Sequence, residues 1–131
     1  MPICLATAQV ETFEETLDCQ DIYDTIKNGA PAMDRLIIIV KEIKGNCPVY
    51  KVGNKIVLDD GYRVNCKESC DLCMHSLSSI LPYYVALFHE VDPIQLRLTK
   101  DGRKAYVQCL DPCNYTGGGT VVFEMEKVMQ G

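Results

Sequence analysis

The sequence predicts an α+β domain with a small, mostly antiparallel sheet in the order strand–strand–helix–strand–strand, packed on a central helix. Two observations support this fold class. Short segments on both sides of residues 77–88 are dense in β-branched and aliphatic residues, as strands are. Between those segments, apolar residues recur at the spacing of one helical face. A chain of 131 residues is long enough for one domain with a modest core.

The first two predicted strands precede the helix. Residues 35–43 are rich in isoleucine and valine and predict a buried strand, which Gly45-Asn46 ends. Residues 49–58 predict a second strand or a hairpin, with its firmest part at 55–58, before the turn signal Asp59-Asp60-Gly61.

The helix is predicted after residue 71. Pro82 lies inside the helical pattern and predicts a kink, or two consecutive helices with Pro82 in the first turn of the second. The apolar residues that mark the helical face are Leu77, Ile80, Leu81, Tyr84, Val85 and Phe88.

Two more strands are predicted after the helix, over 104–109 and 120–128.

Acidic residues are concentrated at the N-terminal end of the chain. Residues 1–32 carry six acidic residues and one basic residue, whereas residues 33–131 carry twelve of each. Within 11–27, apolar residues recur at near-helical spacing, and Asn28-Gly29 is a common helix stop. We therefore predict an acidic helical extension over 1–32, which is a lid, an interaction arm or simply a solvated acidic helix, and a cysteine-rich α+β domain over 33–131.

Charge and hydropathy exclude several classes of partner. Residues 33–131 have no basic excess, so we predict no nucleic acid and no membrane as partners. No run reaches the ~20 apolar residues of a membrane-spanning helix. The N-terminus lacks the basic region of an export signal, so we expect a cytoplasmic protein with reduced thiols. A secreted disulfide scaffold is the alternative interpretation of eight cysteines in a short chain.

Six of the eight cysteines lie at the junctions between predicted elements, and these junctions would meet at one rim if the sheet packs on the helix. The spacing C-x3-C-x2-C at 66–73 places three thiolates close together in a turn. Groups of four thiolates suit zinc or an iron–sulfur cluster, which sequence does not distinguish. The predicted ligands are Cys47, Cys66, Cys70, Cys73, Cys109 and Cys113.

Other residues are weaker candidates for a functional site. Cys4 and Cys19 are predicted as packing residues, because free cysteine behaves as a small hydrophobe. His75 is either a further ligand or an ordinary helix residue. No Gly-x-Ser-x-Gly, Walker or dinucleotide motif is present, so the sequence indicates a binding protein rather than an enzyme.

Five short motifs between residues 33 and 128 form a specific combination. They are Lys44-Gly45-Asn46-Cys47-Pro48, Lys51-Val52-Gly53-Asn54, Cys73-Met74-His75-Ser76-Leu77 with Leu81-Pro82-Tyr83, Val107-Gln108-Cys109-Leu110-Asp111-Pro112, and Gly119-Thr120-Val121-Val122-Phe123-Glu124.

Together these motifs resemble a family of small uncharacterised prokaryotic proteins that is frequent in anaerobes. The resemblance implies that Cys47, Cys73 and Cys109 are the family's shared cysteines and that they belong to a metal or cofactor site. It implies no activity. Cys66, Cys70 and Cys113 look like additions to the family's pattern, and residues 1–32 look like an extension before its usual start.

Three functions are consistent with this sequence. The first is a cysteine-ligated centre used in electron transfer or in an accessory subunit, with another protein as the partner. The second is a structural zinc that clamps 66–73 to 109–113 in a protein-interaction module. The third is a thiol–disulfide pair, Cys70 and Cys73, with a lowered thiolate pKa.

Overall fold

The computed structural model describes Cys19, Gln20, Ile22 and residues 33–129. Contacts divide the chain into two compact units, Met1–Ala32 with Gly131, and Met33–Gln130. In the first unit Cys19, Gln20 and Ile22 are helical, and the rest of the predicted acidic extension lies outside the described residues. The fold described below is that of the second unit.

The second unit is a five-stranded antiparallel sheet with three short helices in its described residues, an architecture consistent with an α+β or a mostly-β fold. The strands lie side by side in the order β3-β2-β1-β5-β4. The strands are β1 (Arg35–Gly45), β2 (Lys55–Asp59), β3 (Arg63–Val64), β4 (Ala105–Gln108) and β5 (Gly119–Val128). The helices are α1 (Met74–Ile80), α2 (Tyr84–Phe88) and α3 (Cys113–Thr116).

The core lies on one face of the two long central strands. Leu36, Ile38 and Val40 of β1 and Phe123 and Met125 of β5 are each at most 2% exposed. Ile80 of α1 and Leu87 of α2 belong to the same buried cluster. Burying one such side chain stabilises the fold by roughly 1.5–3 kcal/mol.

The register between β1 and β5 shifts once. Val40 pairs with Phe123 and Glu42 pairs with Val122, so Lys41 is the extra residue of a β-bulge. Side chains beyond a bulge of one residue change faces. Ile43, which pairs with the buried Val121, therefore lies on the core side.

The other face of the sheet holds a buried carboxylate, Glu124 of β5, which is 7% exposed. Lys104 Nζ donates to its Oε1 at 2.9 Å, and the Tyr106 hydroxyl donates to its Oε2 at 3.0 Å. The hydrogen bond from Lys104 lowers the pKa of Glu124, burial opposes that shift, and the bond from Tyr106 adds to it.

A charged network holds the end of the sheet where β1 begins and β2 ends. Arg35 Nε lies 2.9 Å from Oδ1 of Asp59, a residue only 1% exposed. The Arg35 guanidinium also contacts the two carboxylate oxygens of Glu68 at 2.9 and 3.2 Å. The Asn65 amide donates to Asp59 at 3.0 Å and to Glu68 at 2.8 Å. We call these four residues, Arg35, Asp59, Asn65 and Glu68, the charged end.

The structure differs from the expected order in several places. Strands β1, β4 and β5 lie at the predicted positions, but of the strand or hairpin predicted over 49–58 only the firmest part is a strand, β2, and 49–54 contains none. The short β3 and α3 were not predicted, because two and four residues are too few to show a period. The apolar face at 77–88 forms two helices, and Pro82 lies in the turn between them rather than in the first turn of the second. Proline lacks the N–H that would continue α1.

No helix in the described part of the chain has the length and apolar character needed to cross a membrane.

Candidate functional site

Five of the six candidate cysteines lie at the end of the sheet opposite the charged end. Here β1 ends, β2 begins, β4 ends and β5 begins. Four of these cysteines, Cys47, Cys70, Cys73 and Cys109, belong to the hydrophobic core or pack against it. We call this region the thiol rim, defined by Cys47, Cys70, Cys73, Cys109 and Cys113.

Gly119, the first residue of β5, brings two of these cysteines to the same place. A Cβ at Gly119 would lie 2.5 Å from the Cys47 backbone nitrogen, so the close approach of the two chains requires glycine. The Val121 N–H donates to Cys109 Sγ at 3.2 Å, and the same sulfur lies 3.6 Å from the Gly119 carbonyl oxygen. The backbone of Cys47 and the sulfur of Cys109 therefore both contact the start of β5.

Cys113 reaches the same corner from α3. Its N–H donates to Thr120 Oγ1 at 3.3 Å. A Cβ at Gly45, the last residue of β1, would lie 3.1 Å from the Cβ of Cys113. Cys113 is thus adjacent to the segment that leads to Cys47.

Tyr50 connects Cys47 with Cys73. Its N–H donates to Cys47 Sγ at 3.2 Å, and its hydroxyl oxygen accepts the Cys73 N–H at 2.8 Å. Tyr50 is 3% exposed, and its ring meets Phe123 edge to face with 5.3 Å between centroids. The loop that carries Cys47 and the start of α1 are thus joined through one buried side chain.

The thiols of Cys70 and Cys73 act electrostatically on Tyr50. Burial raises the pKa of the Tyr50 hydroxyl, its hydrogen bonds with Cys73 and Ser76 oppose the shift, and negative charge on Cys70 and Cys73 adds to it. Burial also raises the pKa of the Cys70 thiol, its own backbone N–H opposes that shift, and the Asp71 carboxylate adds to it.

Cys66 lies apart from the thiol rim. It is exposed, and its sulfur lies 3.9 Å from the Val64 carbonyl oxygen at the edge of the sheet. Glu68, which stands between Cys66 and Cys70 in sequence, is held by Arg35 at the charged end. Cys70 instead donates its N–H to the Lys55 carbonyl oxygen at 2.9 Å, at the start of β2. The first two cysteines of C-x3-C-x2-C are therefore fixed to different parts of the sheet edge.

The thiols are gathered but do not form a closed coordination sphere. Among the described residues, no three Cys, His, Asp or Glu side chains are grouped so that they could hold a metal ion. The donor chemistry nevertheless suits thiolate ligands, because Cys47 and Cys109 each accept a backbone N–H at 3.2 Å. Hydrogen bonds to sulfur stabilise its negative charge and tune a bound centre.

Sequence reasoning missed Tyr50 and Ser76. Ser76 is fully buried in α1, and its hydroxyl bonds to both Tyr50 and Cys73. A tyrosine in a predicted strand and a serine in a predicted helix carry no pattern that links them, so only the fold reveals the pair. His75 is exposed on α1. Cys19, predicted as a packing residue, is also exposed, and Cys4 lies outside the described residues.

Comparisons of this chain with family models, with curated proteins and with solved structures found no match. The resemblance to small prokaryotic cysteine-containing proteins therefore stays a prediction.

Proposed function

We propose that this protein binds a metal ion or an iron–sulfur cluster through thiolates of the thiol rim, and that it acts in electron transfer or as an accessory subunit of another protein. The observation that carries the proposal is the convergence of Cys47, Cys73 and Cys109, three cysteines distant in sequence, at one end of the sheet. Tyr50 is hydrogen-bonded to Cys47 and to Cys73, and the start of β5 approaches the Cys47 backbone at Gly119 and donates to Cys109 Sγ at Val121.

In this proposal Cys47, Cys73 and Cys109 form the main ligand set, and Cys113 or Cys70 completes it. Four thiolates satisfy zinc or an iron–sulfur cluster equally well. Cys66 has a peripheral role, because it lies at the outer edge of the sheet.

The two alternatives have less support. A zinc clamp is not needed to fix the loop at 66–73, since Glu68 is already bound to Arg35 and Cys70 to Lys55. A reactive Cys70–Cys73 pair needs a lowered thiolate pKa, whereas burial raises the pKa of Cys70.

We further propose a cytoplasmic location, where thiols stay reduced, and a role for the acidic extension over 1–32 as an arm that contacts the partner protein.

Purification without oxygen, followed by metal analysis and a visible spectrum, tests the proposal. Stoichiometric iron with sulfide and visible colour would identify a cluster, and stoichiometric zinc without colour would identify a zinc site. Cys47→Ser, Cys73→Ser and Cys109→Ala should each lose most of the bound metal. Cys66→Ser, the matched control, should keep it.

Protein that holds no metal as purified, and takes up neither zinc nor iron with sulfide while all its thiols remain titratable, would overturn the proposal. Thermal unfolding of each variant separates loss of metal from loss of fold.

A further inference from the structure

We infer that Tyr50 is the positioning residue of the thiol rim, and that its hydroxyl sets how tightly a metal is held at Cys73. The inference rests on the proposed metal-binding function. It adds an assignment for a residue that is not itself a ligand.

The hydrogen bonds around Tyr50 form a closed ring. The Cys73 N–H donates to the Tyr50 hydroxyl oxygen, and the Ser76 hydroxyl donates to the Cys73 carbonyl oxygen at 2.6 Å. The hydroxyls of Tyr50 and Ser76 lie 2.7 Å apart. Each hydroxyl has one proton, so with the Ser76 proton on Cys73 the Tyr50 hydroxyl must donate to Ser76. The ring thus starts and ends on the backbone of Cys73.

This ring holds the first residue of α1's N-terminal end by its backbone. Cys73 is the N-cap residue of α1 and its side chain makes no capping bond. Its sulfur is therefore not used to satisfy the helix, while its N–H and C=O are both held by buried hydroxyls. The orientation of the Cys73 Cα–Cβ bond is therefore fixed from the backbone, and only the χ1 rotation is left to place its sulfur.

Tyr50 also contacts a second candidate ligand, Cys47. The N–H of Tyr50 donates to Cys47 Sγ. The main chain of Tyr50 therefore contacts the sulfur of Cys47, and its side-chain hydroxyl contacts the backbone of Cys73. The ring against Phe123 gives the hydroxyl a rigid base in the core. Groups that orient metal ligands in this way typically contribute 10- to 100-fold to metal affinity.

Tyr50→Phe tests this inference, because phenylalanine keeps the ring packing and removes only the hydroxyl. Zn²⁺ affinity is measured by competition, and Co²⁺ is used as a spectroscopic probe of thiolate ligation, both on the full chain with reduced thiols. We expect Zn²⁺ affinity to fall by about 10- to 100-fold and the Co²⁺–thiolate charge-transfer absorption to change. Tyr106→Phe, which removes a hydroxyl bonded to Glu124 on the other face, should change neither.

Ser76→Ala provides a second variant should Tyr50→Phe not fold, and we expect it to lower the affinity in the same direction. A Tyr50→Phe protein that is less stable, yet binds Zn²⁺ as tightly as the unchanged chain and gives the same Co²⁺ spectrum, would show that Tyr50 only packs. Failure of the unchanged chain to bind Zn²⁺, Co²⁺ and iron with sulfide would overturn the proposed function itself and this inference with it. Metal binding by the unchanged chain therefore distinguishes a failure of this inference from a failure of the proposed function.

Discussion

The two ends of the sheet are held together by different chemistry. At the charged end, Arg35 joins Asp59 and Glu68, and the amide of Asn65 completes the network. At the thiol rim the links are neutral: backbone N–H groups, two hydroxyls and close contacts at glycine. Strand β1 runs between the two ends, from Arg35 at the charged end to Gly45 beside the thiol rim.

The difference indicates that the two ends of the sheet have different roles. Every polar side chain of the charged end is engaged with another member of the network, so this end fixes the edge of the sheet. At the thiol rim the bonds to Cys73 are made by its backbone, and the sulfurs of Cys47 and Cys109 accept N–H donors rather than cations. A soft cation is the partner that such sulfurs suit.

Arg35→Met gives the largest expected effect. It leaves the buried Asp59 carboxylate without its cation, and removing one member of a buried pair costs about 3–5 kcal/mol. The free energy of unfolding, measured by urea denaturation, should fall by that amount. Arg103→Met, at an exposed arginine, should stay within about 0.5 kcal/mol of the unchanged chain. If the folded Arg35→Met protein also lost its affinity for Zn²⁺, the two ends would not be independent.

Gly119→Ala gives a smaller effect on stability and acts on the thiol rim. The new Cβ would meet the Cys47 backbone, and overpacking of this kind costs roughly 1–3 kcal/mol. Gly102→Ala is the control: its φ of +80° strains alanine, but nothing lies within 4 Å of the new Cβ. We expect Gly119→Ala to weaken Zn²⁺ binding and Gly102→Ala to leave it unchanged. Equal Zn²⁺ affinities in both variants would contradict the role given to the close approach at Cys47.

The smallest effect concerns the reactivity of Cys70. Alkylation requires the thiolate, and burial raises the pKa of Cys70, so the midpoint of its alkylation rate against pH should lie above that of an ordinary cysteine. Mass spectrometry of metal-free protein, residue by residue, measures this curve. In urea the midpoint should return to the ordinary value. A folded-state midpoint below it would restore the hypothesis of a reactive Cys70–Cys73 pair.

The sequence predicts the sheet better than the site. Strands β1 and β5 are long and apolar, so their period is strong, and a glycine or a turn marks their ends. The positions of Cys66 and Cys70 depend on the partnership of Glu68 with Arg35, which is 33 residues away in sequence. Local spacing suggests one centre at 66–73, whereas this long-range ion pair draws Cys66 to the outer edge. The role of Tyr50 likewise depends on contacts across the fold.

The bulge at Lys41 decides on which side of the sheet the last part of β1 falls, just before the first cysteine of the site. Before the bulge, even-numbered residues of β1 enter the core, and after it Ile43 packs against the core. A related chain that kept the length of β1 but lacked the bulge would turn Ile43 to the face that carries Glu124 and Tyr106. A chain that lost Lys41 together with the bulge would keep Ile43 on the core side, because its pairing with Val121 would be unchanged. Whether a chain keeps or loses this one residue is therefore informative about how β1 approaches the site.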